Sequence, residues 1–145
     1  MDKVQIRKLQ KNDADEISRI YADITMKPVD PDFRRVVEDH AQRKDQACFV
    51  AEQDGTVVGF MISYILTAGF GMPKSAWIAT LGVDPTCMGR SIGASLAKEI
   101  MKYYQAQGVE NVYTSVRWDS TDLLSFFKTL GFDRSNFINL RKVLK

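Results

Sequence analysis

Trp77-Ile78-Ala79-Thr80-Leu81-Gly82-Val83, closed by Asp84-Pro85, leads into Met88-Gly89-Arg90-Ser91-Ile92-Gly93 and then into a long amphipathic run. The first seven residues are apolar and nearly continuous, as in a strand covered on both faces. Asp84-Pro85 ends it, because proline has no N–H to continue a ladder. Ile92, Leu96, Ile100 and Tyr103 recur at successive helical turns, which predicts a helix from about Ser91 to Gln107 with Gly108 as its C-terminal cap. A strand, a glycine-bearing loop and a helix start together place free backbone N–H groups and the positive end of a dipole at one point, where phosphate binds. Gly89 and Gly93 let the chain approach a ligand with no Cβ in the way, Arg90 supplies charge, and Ser91 either caps the helix or donates its hydroxyl. Taken alone, such a start also arises from capping without any ligand.

Outward from this stretch, the other elements follow from periodicity. Val4-Gln5-Ile6-Arg7 alternates like a half-buried strand. Asn12 or Asp13 opens a helix with Ile17, Ile20, Tyr21 and Ile24 on one face, ending near Lys27-Pro28. A second helix follows Pro31, with Phe33, Val36 and Val37 inward and His40 among polar residues as a solvated surface histidine. Cys48 to Gln53 and Val57 to Leu66 flank Asp54-Gly55, the pair that tolerates the positive φ angles of a tight hairpin. Thr67 to Ser75, with Gly69, Gly71 and Pro73, reads as a loop. After the long helix come a fifth strand at Val112 to Val116, a helix from Ser120 to Leu130 stopped by Gly131, and a final strand at Phe137 to Val143. The order β α α β β β α β α β defines an α/β or α+β domain with a mixed sheet, read as one unit over residues 1–145.

Composition narrows the function. A chain of 145 residues has room for a single core. Hydrophobic residues at 45% and charged residues at 26% match ordinary globular usage. Twenty Lys and Arg against eighteen Asp and Glu leave +2, too little for a protein that lives on phosphate backbones, so nucleic acid is not implied as a partner. Cys48 and Cys87 build no disulfide framework and suit a reducing interior. No signal-peptide or bilayer-spanning stretch is present, which predicts a cytoplasmic protein without a membrane partner. A single histidine and two distant cysteines offer no metal spacing. The Lys-Ser/Thr of a P-loop is missing, and a dinucleotide-binding glycine loop would follow the first strand rather than the fourth.

Val83-Asp84-Pro85 followed by Met88-Gly89-Arg90-Ser91-Ile92-Gly93 resembles the coenzyme A pyrophosphate loop of the GNAT superfamily of acetyl-CoA-dependent N-acetyltransferases, Gln/Arg-x-x-Gly-x-Gly/Ala. The element order is similar to that family's throughout. Its second signature is matched by Phe126-Phe127-Lys128-Thr129-Leu130-Gly131-Phe132. The resemblance implies the GNAT fold, a mixed, mostly antiparallel sheet of six to seven strands with helices on both faces. It also implies that acetyl-CoA binds with its pantetheine arm along the backbone of Leu81, Gly82 and Val83 and its diphosphate on the loop from Met88 to Gly93. A backbone N–H of the fourth strand would polarise the thioester carbonyl and hold the oxyanion that forms on attack, an interaction worth several kcal/mol at comparable sites. For Gly82 a bulge or tight packing is the other reading, and a bulge is what frees such an N–H.

The departures are as informative. Met88 stands where the family has Gln or Arg, Ser91 where it has a middle glycine, and Ser120 where it often has Asn. Phe127 takes the position of a tyrosine that protonates the departing thiolate in many members, which leaves Phe126 and Phe127 as an apolar wall beside the cofactor. The acid some members carry on the fifth strand falls at Ser115, and one on the fourth would fall near Trp77 or Ile78. The base role then passes to water, Tyr113, Asp119 or an acid outside these strands. An α-amino group, with a pKa of about 8, needs the least help to lose its proton. The acceptor would lie against the first two helices and the loop holding Phe70 and Met72, with acids between Pro28 and Asp32 attracting a cationic amine. The implied protein is a monomeric or homodimeric N-acetyltransferase acting by direct attack of a small amine or a peptide or protein N-terminus. The alternative is a non-catalytic acyl-CoA sensor or interaction module of the same fold.

Overall fold

The computed structural model describes residues 3–44, 46–67, 73–87 and 91–145, in two units, Met1–Thr114 and Ser115–Lys145. In the first unit, β1 (Val4–Lys8), β2 (Cys48–Gln53), β3 (Thr56–Leu66), β4 (Ser75–Val83) and β5 (Val112–Thr114) form one sheet in that order. Pairing is antiparallel from β1 to β4 and parallel between β4 and β5. The turn between β2 and β3 holds Asp54 at φ 54° and Gly55 at φ 79°, the two positive angles that its residues tolerate.

Helices α1 (Ala14–Thr25) and α2 (Pro31–Ala41) cover one face, where Ile17, Ile20 and Val37 join Val50, Phe60 and Ile62 in the core. Helix α3 (Ile92–Ala106) covers the other. Successive residues of a strand point to opposite faces. Accordingly a Cβ at Gly59 would stand 3.0 Å from Ile92 Cγ2 of α3, while the side of β4 bearing Gly82 meets Ile24 of α1. Arg7 ties β1 to the start of α1 through paired hydrogen bonds of 2.9 Å to Asp13, whose carboxylate also accepts from the Gln10 N–H. At α2, Pro31 occupies the first helical position and the Asp30 carboxylate accepts from the Asp32 N–H at 2.9 Å.

Several sequence expectations need correction here. The strand buried without interruption is β3, over residues 57–63, whereas β4 exposes Ala79 and only half-buries Leu81 and Val83. The two middle strands have similar composition, and only position in the sheet separates them. Val36 is exposed, since Phe33 and Val37 already occupy the inward stripe of α2. On α3 it is Tyr104, not Tyr103, that is fully buried. Its hydroxyl accepts from the Ala47 N–H at 3.0 Å and shares a 2.8 Å hydrogen bond with Ser63. His40 is not a solvated surface residue. Its ring is half-buried beside the Gln46 side chain, and burial, aided by the Arg43 charge, holds its pKa below the usual value.

The second unit contains α4 (Thr121–Thr129), entered from Ser120 and left through Gly131 at φ 91°. Phe127 lies edge-on to Phe126 at 5.1 Å and to Phe132 at 5.0 Å. The final strand at Phe137 to Val143 does not form, so the described residues hold five strands where six to seven were expected. Apolar residues give this segment strand propensity, but a strand exists only through a neighbouring ladder, and Ile138 and Leu140 are 79% and 87% exposed. No helix among the described residues is long and apolar enough to cross a membrane.

Candidate active site

β4 has two neighbours for only part of its length. Ala76, Trp77 and Ile78 pair with Val112, Tyr113 and Thr114 of β5, and there the parallel ladder stops. β4 continues for five residues to Val83, and among the described residues β3 is the strand paired with it there, Leu81 opposite Met61, Gly82 opposite Phe60 and Val83 opposite Gly59. The β3–β4 register shifts where Ile62 pairs with Thr80 and Ser63 with Ile78, leaving Ala79 as a one-residue bulge. The bulge therefore falls where β5 pairing ends. Along the unpaired edge, alternate N–H and C=O groups of Ala79–Val83 lie outside the ladder. Gly82 is not the bulge. A Cβ there would come within 2.8 Å of both Phe60 and Ile24, so it is the tight-packing reading of this glycine that holds.

Beyond Val83 the chain is held firmly. The Asp84 N–H donates to Val58 O at 2.8 Å, and its carboxylate accepts from the Thr86 N–H and hydroxyl at 3.0 and 2.9 Å. Those donors, the backbone one foremost, hold the Asp84 pKa below the usual carboxylate value. Met88, Gly89 and Arg90 lie outside the described residues, as do Phe70 and Met72. Ser91 adopts the left-handed conformation at φ 59° and its hydroxyl makes no capping hydrogen bond. Of the two roles expected of this serine, capping is thus absent, and its carbonyl instead accepts from the Ser95 N–H and hydroxyl, both at 3.0 Å. Ile92 is buried against Gly59, and Gly93 sits in the first turn of α3.

Among the candidates for proton transfer, Tyr113 stacks on Trp77 with ring centroids 5.0 Å apart, beside the last β4–β5 pairs. In the second unit, Asp119 is held by Arg117 through hydrogen bonds of 3.0 and 2.9 Å, which lower its pKa and make it a poorer proton acceptor. The Ser115 hydroxyl accepts from Asn139 Nδ2 at 3.0 Å. Ser120 occupies the N-cap position of α4 with no side-chain cap bond. The bulge at Ala79 went unseen in the sequence because a register shift depends on the neighbouring strand. Among the described residues no cluster of His, Cys, Asp or Glu could hold a metal ion.

The fold is shared with acetyltransferases of known structure. The aminoglycoside N-acetyltransferase AAC(6')-Iy, solved in complex with CoA, superposes with a TM-score of 0.83 over 99% of this chain and 96% of its own, at 16% identity, a likeness of fold. The family model described as "Acetyltransferase (GNAT) family" matches residues 14–132, and the chain belongs to that family. N-alpha-acetyltransferase RimI of Mycobacterium tuberculosis is 36% identical over 84 residues, 58% of this chain and 50% of that protein. This chain thus spans about half the length of that relative. An N-alpha-acetyltransferase of Sulfurisphaera tokodaii is 29% identical over 136 residues, 88% of this chain and 79% of its own.

Proposed function

We propose that this chain transfers an acetyl group from acetyl-CoA to a primary amine, an α-amino group of a peptide, protein or small molecule, by direct attack on the thioester. The observations that support this reading are the edge of Ala79–Val83 beyond the β4–β5 ladder, the Asp84 turn that follows it, and a first turn of α3 that the Ser91 side chain does not cap. The fit to the cofactor is chemical. An extended arm of amides needs backbone partners along a strand edge, and a diphosphate needs N–H groups at a helix start that no side chain already occupies.

In this reading Leu81, Gly82 and Val83 bind the arm, and Met88, Gly89, Arg90, Ser91, Ile92 and Gly93 bind the diphosphate. The resemblance adds Ser120, Phe126 and Phe127 from the second unit as further cofactor contacts. Acetyl-CoA supplies the activated carbonyl. Phe127 has no proton to give, and little is demanded, since thiols have a pKa of about 8.5. Water or the Tyr113 hydroxyl takes the proton from the amine, because Asp119 is engaged by Arg117. Phe70 and Met72, which lie outside the described residues, are assigned to the acceptor side by the resemblance alone. That two relatives are named N-alpha-acetyltransferases supports an α-amino acceptor. The free thiols of Cys48 and Cys87 support a cytoplasmic location, as a monomer or homodimer.

The ion-paired Asp119 and the side chains Ser115 and Phe127 favour one rival, a domain that binds acyl-CoA without turnover. Release of free thiol from acetyl-CoA, measured against a panel of N-terminal peptides and small amines, separates them. Saturable, amine-dependent release is expected. Saturable coenzyme A binding with no release from any amine establishes the rival, and no binding overturns both.

A further inference from the structure

In the second unit, the segment from Phe137 to Leu144 is pinned and yet holds its apolar side chains in solvent. Phe137 donates its N–H to the Ser135 hydroxyl at 3.1 Å, and that hydroxyl donates to Phe137 O at 3.3 Å. Two residues on, the Asn139 side chain donates to the Ser115 hydroxyl at 3.0 Å. Around these anchors Ile138, Leu140 and Leu144 are 79%, 87% and 84% exposed. Residues two apart in an extended chain share a face, so these three stand on one side, with Lys142 among them. Single apolar residues at a surface are ordinary, but a strip of them on a pinned segment marks a contact surface.

The backbone groups divide by the same alternation. In an extended chain the N–H and C=O of successive residues point to opposite edges. Those of Phe137 are engaged by Ser135, whereas among the described residues no hydrogen bond engages the N–H or C=O of Ile138, Leu140 or Lys142. An edge of unpaired donors and acceptors is a template for another strand.

We propose that this edge pairs with the same edge of a second copy of the chain, in a two-fold antiparallel ladder centred on Leu140. Leu140 then meets its own counterpart on the axis, Ile138 faces Lys142 of the partner subunit, and Asn139 faces Arg141 of the partner subunit. Each cation in the ladder thus meets an uncharged residue, whereas centring on Arg141 or Lys142 would set like charges on the axis. The pairs that exchange hydrogen bonds are the ones whose backbone groups are otherwise unengaged, and the exposed leucines and isoleucine of both copies join in one apolar strip. A contact that closes on its own symmetry axis stops at two copies. The cations of the two segments still repel at longer range, so added salt tightens the pair.

The full chain is followed by sedimentation velocity through a dilution series. A dimer of twice the chain mass that dissociates on dilution is expected. Leu140→Lys, which sets two cations face to face on the axis, should weaken the dimer at least tenfold, while Met26→Lys, at a similarly exposed apolar residue of the first unit, should leave it unchanged. Leu140→Cys should form an intermolecular disulfide on mild oxidation, since hydrogen-bonded pairs hold their Cα atoms about 5.5 Å apart, and Val143→Cys, away from the axis, should not. The native Cys48 and Cys87 are buried and do not compete. A monomer at every concentration, a dimer that Leu140→Lys leaves intact, or equal cross-linking at both positions overturns the proposal. Should Leu140→Lys fail to fold, Ile138→Glu and Ile138→Lys take its place: a dimer at least tenfold tighter with Glu, which would face Lys142 of the partner subunit, supports the ladder, and equal dimers overturn it. A monomer that sediments with phosphatidylserine vesicles assigns the segment to a lipid surface and overturns the proposal as well.

Discussion

The two ends of α3 are built on opposite plans. At its start Ser91 is left-handed and caps nothing, the first-turn N–H groups face no side-chain acceptor of that serine, and the preceding strand has lost a neighbour. At its far end adjacent tyrosines are fully committed, Tyr103 to the carbonyl of Lys44 and Tyr104 to Ala47 and Ser63. One end leaves backbone donors for a ligand, and the other uses side-chain hydroxyls to anchor a loop. A single helix thereby joins the corner proposed to bind coenzyme A to the core that holds it in place, as a preorganised site requires.

Removing the anchor is the most damaging way to break this contrast. Tyr104→Ala deletes a fully buried aromatic ring and leaves the Ala47 N–H without its acceptor, with an expected loss of about 3–5 kcal/mol in chemical denaturation. A loss under about 1 kcal/mol would mean that the far end of α3 is not an anchor. At the open end, Gly93→Asp should lower coenzyme A affinity at least tenfold, about 1.4 kcal/mol, in a protein of unchanged stability. An acid in the first turn suits the helix dipole but repels a diphosphate, so binding and folding should part company. Equal affinity by calorimetry would remove the diphosphate from this corner.

The smallest effect belongs to the turn after β4, ahead of α3. Asp84 has its pKa held below the ordinary carboxylate value by Thr86, so its charged form stabilises the fold at pH above about 3.9 and that contribution fades as the pH falls. Asp84→Asn should therefore melt slightly below the parent protein at neutral pH, with the gap closing on acidification below about 3.9. A gap that widens in acid would reverse the sign and show that the carboxylate is not favoured in its ionised form.

Much of this architecture is legible in the chain. Asp54-Gly55 announces its hairpin because few other pairs accept two positive φ angles, and Pro31 opens α2 because its fixed φ and missing N–H suit a first turn. The glycine-rich approach to α3 is likewise local chemistry. His40, Val36 and Phe137 to Val143 depart from their local pattern for the opposite reason: their burial or pairing depends on what a distant segment brings to them. His40 shares a cavity lining with Lys8 and Gln46, which lie outside α2, and no strand is described over the C-terminal segment.

The sequence by itself therefore determined the order of helices and strands, the turn that ends β4 and the residue types gathered at the start of α3, since propensity, capping and φ preference act over a few residues. Only the tertiary structure decided that β5 pairs with three residues of β4, that Ala79 bulges, that Arg117 engages Asp119, and that Gln46 and His40 line one cavity. Each of these depends on register or on groups far apart along the chain, and such energies arise only when the segments meet.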